Sequence, residues 1–212
     1  MDLNRDQISA LSQMIWFLSD ASLDKFFLLN GSAGTGKTFT VVNSLLRIRT
    51  LYPYKRICLT APTNKAVQIL RESCHRFGIA SVDCMTIYRL LALQAVEGEN
   101  GEVLLQDKHI RSSFNKYDVI YIDEASMVGL KLWVKILNEV AKWDNKVILV
   151  GDEAQLTPVG EGISPALKVN NQFKLTTIVR QAENSPLMSA ISAARQLVYN
   201  PNGEWNMRSL IL

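Results

Sequence analysis

No apolar stretch in this sequence approaches the roughly 18 residues needed to cross a bilayer, and the opening Met1-Asp2-Leu3-Asn4 lacks the basic region and apolar core of a secretion signal. A membrane-spanning helix is therefore not expected, and a cytoplasmic protein is. Cysteine is scarce: Cys58, Cys74 and Cys84 are an odd number without C-x-x-C spacing, and His75 and His109 are the only histidines. That argues against both a disulfide framework and a zinc site. A strong charge of one sign is also missing. Twenty-three basic against twenty acidic residues leave a net +3, which permits a nucleic-acid partner without identifying one. Internal repeats and low-complexity tracts are absent.

What is present is a 212-residue chain, 48% hydrophobic, enough for one α/β domain with a small insertion. Its most informative stretch is Gly31-Ser32-Ala33-Gly34-Thr35-Gly36-Lys37-Thr38, which fits G-x-x-x-x-G-K-[ST]. The apolar run Phe26-Phe27-Leu28-Leu29 precedes it, and Phe39 to Ile48 can continue as a helix. That strand-loop-helix context gives the motif its physical meaning. The backbone of Gly31, Ala33, Gly34, Thr35 and Gly36 can turn tightly and aim N–H groups at phosphate oxygens, at the positive end of the following helix. Lys37 would reach the β and γ phosphates and the Thr38 hydroxyl would hold Mg²⁺, so a nucleoside triphosphate with its metal is the expected ligand.

Residues 4–18 read as a helix capped by Asn4, with Ile8, Leu11, Ile15 and Leu18 as its buried stripe. Gln7 either closes a capping box or offers its amide to an adenine edge, and both readings stand open. A second buried strand, Ile57-Cys58-Leu59, leads into Thr60 to Lys65, where Thr63 or Asn64 can cap a helix that Gly78 stops. A short helix is expected over Thr86 to Leu93. Residues 94–116 are more polar and include Asn100-Gly101 between Gln94-Ala95-Val96 and Val103-Leu104-Leu105, a pattern for a protruding hairpin. Val119 to Ile122 and Val147 to Val150 are further buried strands. Between them Leu130, Trp133, Val134, Leu137, Val140 and Ala141 recur at helical spacing. A last strand is expected from Phe173 to Val179, then a helix capped by Ser185 with Pro186 at its first position, and a boundary at 200–203. Strands alternating with helices predict a parallel sheet covered on both faces.

The polar residues cluster at the carboxyl ends of these strands, where open α/β sheets bind ligands. Asp123 is the natural Mg²⁺ partner, and Glu124 beside it can take a proton from water attacking the γ-phosphate. Gln155, in Gly151-Asp152-Glu153-Ala154-Gln155-Leu156, could sense that phosphate or orient the water. Arg180 could neutralise charge developing in phosphoryl transfer, or be a plain surface arginine.

In this order the stretches resemble the superfamily 1B DNA helicases of the RecD and phage Dda kind, over nearly all of the chain. Leu3-x-x-x-Gln7 looks like the family's adenine-reading motif, Gly31 to Thr38 its motif I, Ala61 to Ala66 its motif Ia, and Thr86 to Leu91 its motif Ib. Asp123 to Met127 looks like motif II, Gly151 to Leu156 motif III, and Leu175 to Gln181 with Ser185-Pro186 motif IV. The resemblance implies a RecA-like domain over 1–93 and 117–199 that hydrolyses ATP with Mg²⁺ while gripping single-stranded DNA. It puts Thr63, Asn64, Lys65, Thr86 and Tyr88 on the DNA side, and suggests that the 94–116 hairpin is a wedge at a forked duplex. Tyr88 departs from the family, which usually carries histidine there, and as an aromatic on an apolar helix it reads equally as core. The family's second RecA-like domain, with the arginine that completes the ATP site, is not in these 212 residues, and 200–212 would start the linker toward it. Two other readings stand beside the motor: an NTP-binding module serving as a switch or partner surface, and a small-molecule P-loop kinase, which the motif at 151–156 disfavours.

Overall fold

The computed structural model describes residues 3–80, 82–97, 103–107, 111–155 and 162–179. The four apolar runs form the centre of one parallel sheet: β1 (Phe26–Gly31), β2 (Ile57–Ala61), β6 (Val119–Ile122) and β7 (Lys146–Gly151). They are buried almost end to end, as strands covered on both faces must be. Two less apolar strands, β3 (Asp83–Thr86) and β8 (Gln172–Leu175), close the edges in the order β3-β2-β6-β7-β1-β8. The phosphate-loop strand β1 therefore lies between β7 and β8, with Leu29 opposite Val150 on one side and Phe173 on the other.

Successive strand residues alternate between two cores. Phe27, Leu29, Leu59 and Tyr121 face α1 (Arg5–Leu18), α2 (Lys37–Leu51) and α3 (Asn64–Arg76), while Leu28, Cys58, Ile120 and Leu149 face α4 (Ile87–Leu90) and α5 (Leu130–Trp143). The Ser44 and Tyr121 hydroxyls, 2.8 Å apart in the first core, tie α2 to β6, the strand that leads into Asp123. Strands β4 (Leu93–Glu97) and β5 (Val103–Asp107) pair antiparallel as a separate two-stranded sheet, from Leu93 opposite Asp107 to Glu97 opposite Val103. The Asn100-Gly101 turn, the helix from Ser185 and the 200–203 boundary lie outside the described residues.

Several local expectations need correction. In α1 the buried face is Gln7, Ala10, Met14, Phe17 and Leu18, whereas Ile8 is 51% exposed. Apolar residues at both i and i+1 positions of this helix define two candidate stripes, and docking of Gln7 on the phosphate loop selects the other one. In α5 Leu132, Trp133, Ile136 and Val140 face inward, leaving Leu130, Val134 and Leu137 substantially exposed. The helix expected over Thr86 to Leu93 is a single turn, because Leu93 already belongs to β4. Strand β3 precedes it unannounced, and β8 stops at Leu175 rather than Val179. No helix among the described residues is long and apolar enough to cross a membrane.

Candidate functional site

The loop from β1 to α2 is held from within. Thr35 is fully buried, and its hydroxyl donates to the Ser32 carbonyl at 2.7 Å. A Cβ at Gly31 would stand 2.7 Å from that hydroxyl oxygen, so a side chain there would displace it. Gly36 meets two demands: its φ of +83° suits glycine, and a Cβ would lie 2.3 Å from Nε2 of Gln7. Gln7 itself is buried. Its Oε1 accepts from the Asn4 N–H at 3.0 Å, the Asn4 side chain accepts from the Gln7 N–H at 2.8 Å, and Nε2 donates to the Thr35 carbonyl at 3.3 Å. The capping box therefore forms, and it fastens α1 to the phosphate loop.

Lys37 Nζ donates to the carbonyls of Gly31 at 2.6 Å and Ser32 at 3.3 Å, which folds the cation over its own loop. Ala33, Gly34, Gly36, Lys37 and Thr38 line a cleft of about 960 Å³, and Gln7, Asp123, Glu124 and Gln155 reach the same cleft. Gly31 and Thr35 lie beneath it as support. Three strand ends, those of β1, β6 and β7, thus converge on one space.

Asp123 is pushed up to about 6, first by burial and then by the charge of Glu124; the Glu124 N–H, 3.0 Å from Oδ1, and the charge of Lys37 pull the other way. Glu124 sits at φ +53°, ψ +43°, a left-handed conformation unusual for a side-chain-bearing residue. Such outliers persist where the surrounding structure fixes them.

Residues that the sequence did not single out support the cleft. Asp152 is buried, with Oδ2 accepting from the Ala33 N–H and Oδ1 from the Ala154 N–H, each at 3.0 Å. Glu153 accepts from Asn30 Nδ2 at 2.5 Å and from Lys174 Nζ at 3.3 Å. Asp6 Oδ2 accepts from the N–H and hydroxyl groups of both Thr176 and Thr177, at 2.7 to 3.0 Å. Beyond them the Val179 N–H donates to the Gly34 carbonyl at 2.9 Å. Asp152 stood within a quoted motif; the Asp6 contacts span 170 residues and had no local signal. Arg180 lies outside the described residues.

The proposed DNA residues fall apart into two groups. Thr63, Asn64 and Lys65 are exposed at the start of α3, where Thr63 Oγ1 accepts from the Ala66 N–H at 3.2 Å. Thr86 caps α4 in the same way, through the Arg89 N–H at 3.2 Å. A second groove of about 600 Å³ runs between these helices and includes Asn64, Thr86, Arg71, His75 and Arg89. Tyr88 does not line it. Its ring packs against the α5-side core, and burial raises its hydroxyl pKa.

The family model described as "AAA domain" matches residues 2–198. The ATP-dependent RecD2 DNA helicase of Deinococcus radiodurans is 31% identical over 215 residues, covering 99% of this chain and 26% of that protein. The RecD subunit of the RecBCD enzyme of Mycobacterium tuberculosis H37Rv is 37% identical over 146 residues, 64% of this chain and 24% of that one. Among solved structures, the Pif1 helicase from Candida albicans shares the fold at TM-score 0.58 and 21% identity, over 92% of this chain and 44% of that chain. The chain thus spans about a quarter of the length of the two curated relatives. With a family model covering nearly every residue and RecD-type relatives at this identity, the chain belongs to the AAA domain family as a RecA-like P-loop domain of the superfamily 1 helicase kind.

Proposed function

We propose that this chain is the ATP-binding and hydrolysing motor domain of a DNA helicase, in which hydrolysis drives movement along single-stranded DNA. The observation that carries the reading is the meeting of Lys37, Thr38, Asp123, Glu124 and Gln155 in one cleft from three strand ends. The residues fit a metal-bound triphosphate. Asp123, crowded by Glu124 and by burial, is a carboxylate that an adjacent cation relieves. Thr38 and Asp123 would hold Mg²⁺, which supplies charge neutralisation along the phosphates.

The chain's own residues do the rest. Lys37 leaves the loop carbonyls for the β and γ phosphates, while the backbone N–H groups of Gly34 and Gly36 take the oxygens between them. Glu124 accepts the proton of the attacking water, Gln155 orients that water, and Arg180 contributes positive charge. Thr63, Asn64, Lys65 and Thr86 contact the backbone of single-stranded DNA, and the hairpin in 94–116 acts as a wedge against a fork. The relatives' greater length, about fourfold, supports a second RecA-like domain closing the cleft and completing the charge around the γ-phosphate. A cytoplasmic location follows from the same reading.

The test is phosphate release by the 212-residue chain with and without single-stranded DNA, run beside strand displacement on a tailed duplex. Slow, Mg²⁺-dependent hydrolysis without displacement is expected from this domain by itself. Nucleotide binding with no hydrolysis at all would favour a switch module instead.

A further inference from the structure

The three cysteines have no C-x-x-C spacing, yet the fold brings two of them side by side. Cys74 lies in the last turn of α3, after which Gly78, at φ +65°, turns the chain back and the Ile79 N–H donates to the Cys74 carbonyl at 2.9 Å. The chain then returns as β3, where Cys84 stands opposite Leu59 of β2. Residues in register on neighbouring parallel strands point to the same face of the sheet, and Leu59 belongs to the core beneath α1, α2 and α3. Cys84 therefore faces the helix layer and packs against the core that contains Cys74. The two thiols are close enough for one to hydrogen-bond to the other.

Their surroundings set them apart from Cys58. That thiol is fully buried in the opposite core, and burial pushes its pKa up to about 12, which keeps it protonated and unreactive. The Cys84 thiol, by contrast, holds the pKa of Cys74 below the ordinary thiol value, and its own is raised in return. One proton therefore leaves the pair more readily than it leaves Cys58, and the charge left behind is stabilised by the neighbouring S–H. Cys84 also brings the pair to solvent. It is half-buried and lines the groove of about 600 Å³ that carries Asn64 and Arg71 of α3 on one side and Thr86 and Arg89 on the other. Arg71 Nη2 donates to the Cys84 carbonyl at 3.0 Å, and its charge favours a thiolate beside it.

We propose that Cys74 and Cys84 are a redox-modification site, oxidised by a hydroperoxide to a disulfide that ties α3 to β3 at the edge of this groove. The thiolate of the pair displaces hydroxide from the peroxide, so that an S–O bond forms, the O–O bond breaks and a sulfenic acid results. The second sulfur then displaces hydroxide from the sulfenic sulfur and closes the S–S bond. The two thiol protons leave with the two hydroxides as water, and the two electrons lost by the sulfurs reduce the peroxide. A dithiol reductant reverses the change by exchange. The inference stands apart from the nucleotide cleft, so its failure would leave that reading untouched.

The test exposes the whole reduced chain to hydrogen peroxide, then unfolds it, alkylates the remaining thiols and cleaves after lysine and arginine. Cleavage at Arg71, Arg76 and Arg89 places Cys74 in peptide 72–76 and Cys84 in peptide 77–89, so a disulfide between these cysteines joins the two. The expected product is that joined pair, lighter by two hydrogens than its parts, with alkylatable thiols falling from three to one and Cys58 the one that remains. Dithiothreitol should restore all three. The cross-link should form at least about tenfold faster in the folded chain than in urea, because the fold holds the sulfurs together. Cys58→Ser should behave as wild type, whereas Cys74→Ser and Cys84→Ser should each abolish the cross-link; Cys84→Ser, at the half-buried position, serves if Cys74→Ser folds poorly. Equal rates in the folded and unfolded chain would overturn the proposal, as would a disulfide that includes Cys58. Three alkylatable thiols after treatment, or sulfinic acid at Cys84 with Cys74 still alkylatable, would overturn it too, since either means that the two sulfurs do not react with each other.

Discussion

The carboxylate of Asp152, the residue after β7, accepts a hydrogen bond from the backbone N–H of Ala33 in the phosphate loop at 3.0 Å. One buried side chain thus sets the loop that would cradle phosphate against the loop that carries Gln155. Its other oxygen holds the Ala154 N–H, so a single residue shapes both sides. Asp152→Ala leaves two donors without this partner, at about 1–3 kcal/mol for each one that stays buried and unpaired. The expected result is a lower midpoint in urea unfolding together with weaker Mg·ATP binding. An Asp152→Ala protein of wild-type stability and affinity would show that the two loops do not depend on each other.

Lys37 and Glu124 should separate in mutation. Lys37→Ala removes the mobile cation from the phosphates and should abolish tight nucleotide binding, whereas Glu124→Gln keeps the shape and loses the proton acceptor. A fluorescent-nucleotide titration beside a phosphate-release assay reads the two effects. Equal loss of binding in both variants would contradict the assigned roles.

The backbone at Glu124 gives a further expectation. A non-glycine residue in the left-handed region costs about 1–2 kcal/mol, and glycine relieves it while adding freedom to the unfolded chain. Glu124→Gly should therefore be as stable as wild type or up to about 1 kcal/mol more stable, yet inactive in hydrolysis. Thermal unfolding of the two proteins measures this directly, and a clearly destabilised glycine variant would mean that Glu124 holds the fold rather than straining it.

Asp6 offers a pH test. Hydrogen bonds from the Thr176 hydroxyl, the Thr176 and Thr177 N–H groups and the Thr177 hydroxyl hold its carboxyl down at about 2, against an ordinary 3.8. The native state therefore binds this proton more weakly than the unfolded state. The contribution to stability is full above 3.8 and fades as pH falls through about 2. Asp6→Asn should be less stable than wild type near neutral pH, with the difference shrinking across that acid window. The same staple precedes the Val179 contact to Gly34, so nucleotide affinity should fall modestly too. A stability difference that stayed constant down to about pH 2 would disconnect it from this carboxylate.

These residues also show what could be read from the sequence. The four central strands were legible because burial on both faces demands uninterrupted apolar runs, and the phosphate loop because its spacing is tied to a strand before and a helix after. Asp83-Cys84-Met85-Thr86 carries no such run, and as an edge strand it is defined by its neighbour β2 rather than by its own pattern. The orientation of α1 and α5 was ambiguous since each offers two apolar stripes, and only docking chooses between Ile8 and Ala10, or Leu130 and Leu132. The strain at Glu124, the reach of Asp6 to Thr176 and the meeting of Cys74 with Cys84 are made by tertiary contact. No local rule contains them.

The proposed DNA contacts yield the last prediction. Lys65 stands exposed one residue inside α3, next to Asn64, which opens onto the groove containing Arg71 and Arg89. A net charge of only +3 supplies little long-range attraction, so single-stranded DNA should bind weakly, without base preference and with a strong dependence on salt. Each phosphate contact contributes about 0.7 to the slope of log affinity against log salt on a single strand. Lys65→Ala and Arg89→Ala should each weaken binding uniformly across sequences and flatten the slope by roughly that amount. Tyr88 should behave otherwise, because its ring is half-buried against the core: Tyr88→Phe should bind DNA as wild type does, and Tyr88→Ala should lose stability before it loses a specific DNA contact. Anisotropy titrations over a salt series, with unfolding curves for the Tyr88 variants, distinguish these cases. A Lys65→Ala curve superimposed on wild type would take that residue off the path, and a stable Tyr88→Ala protein with impaired binding would return the aromatic ring to the DNA.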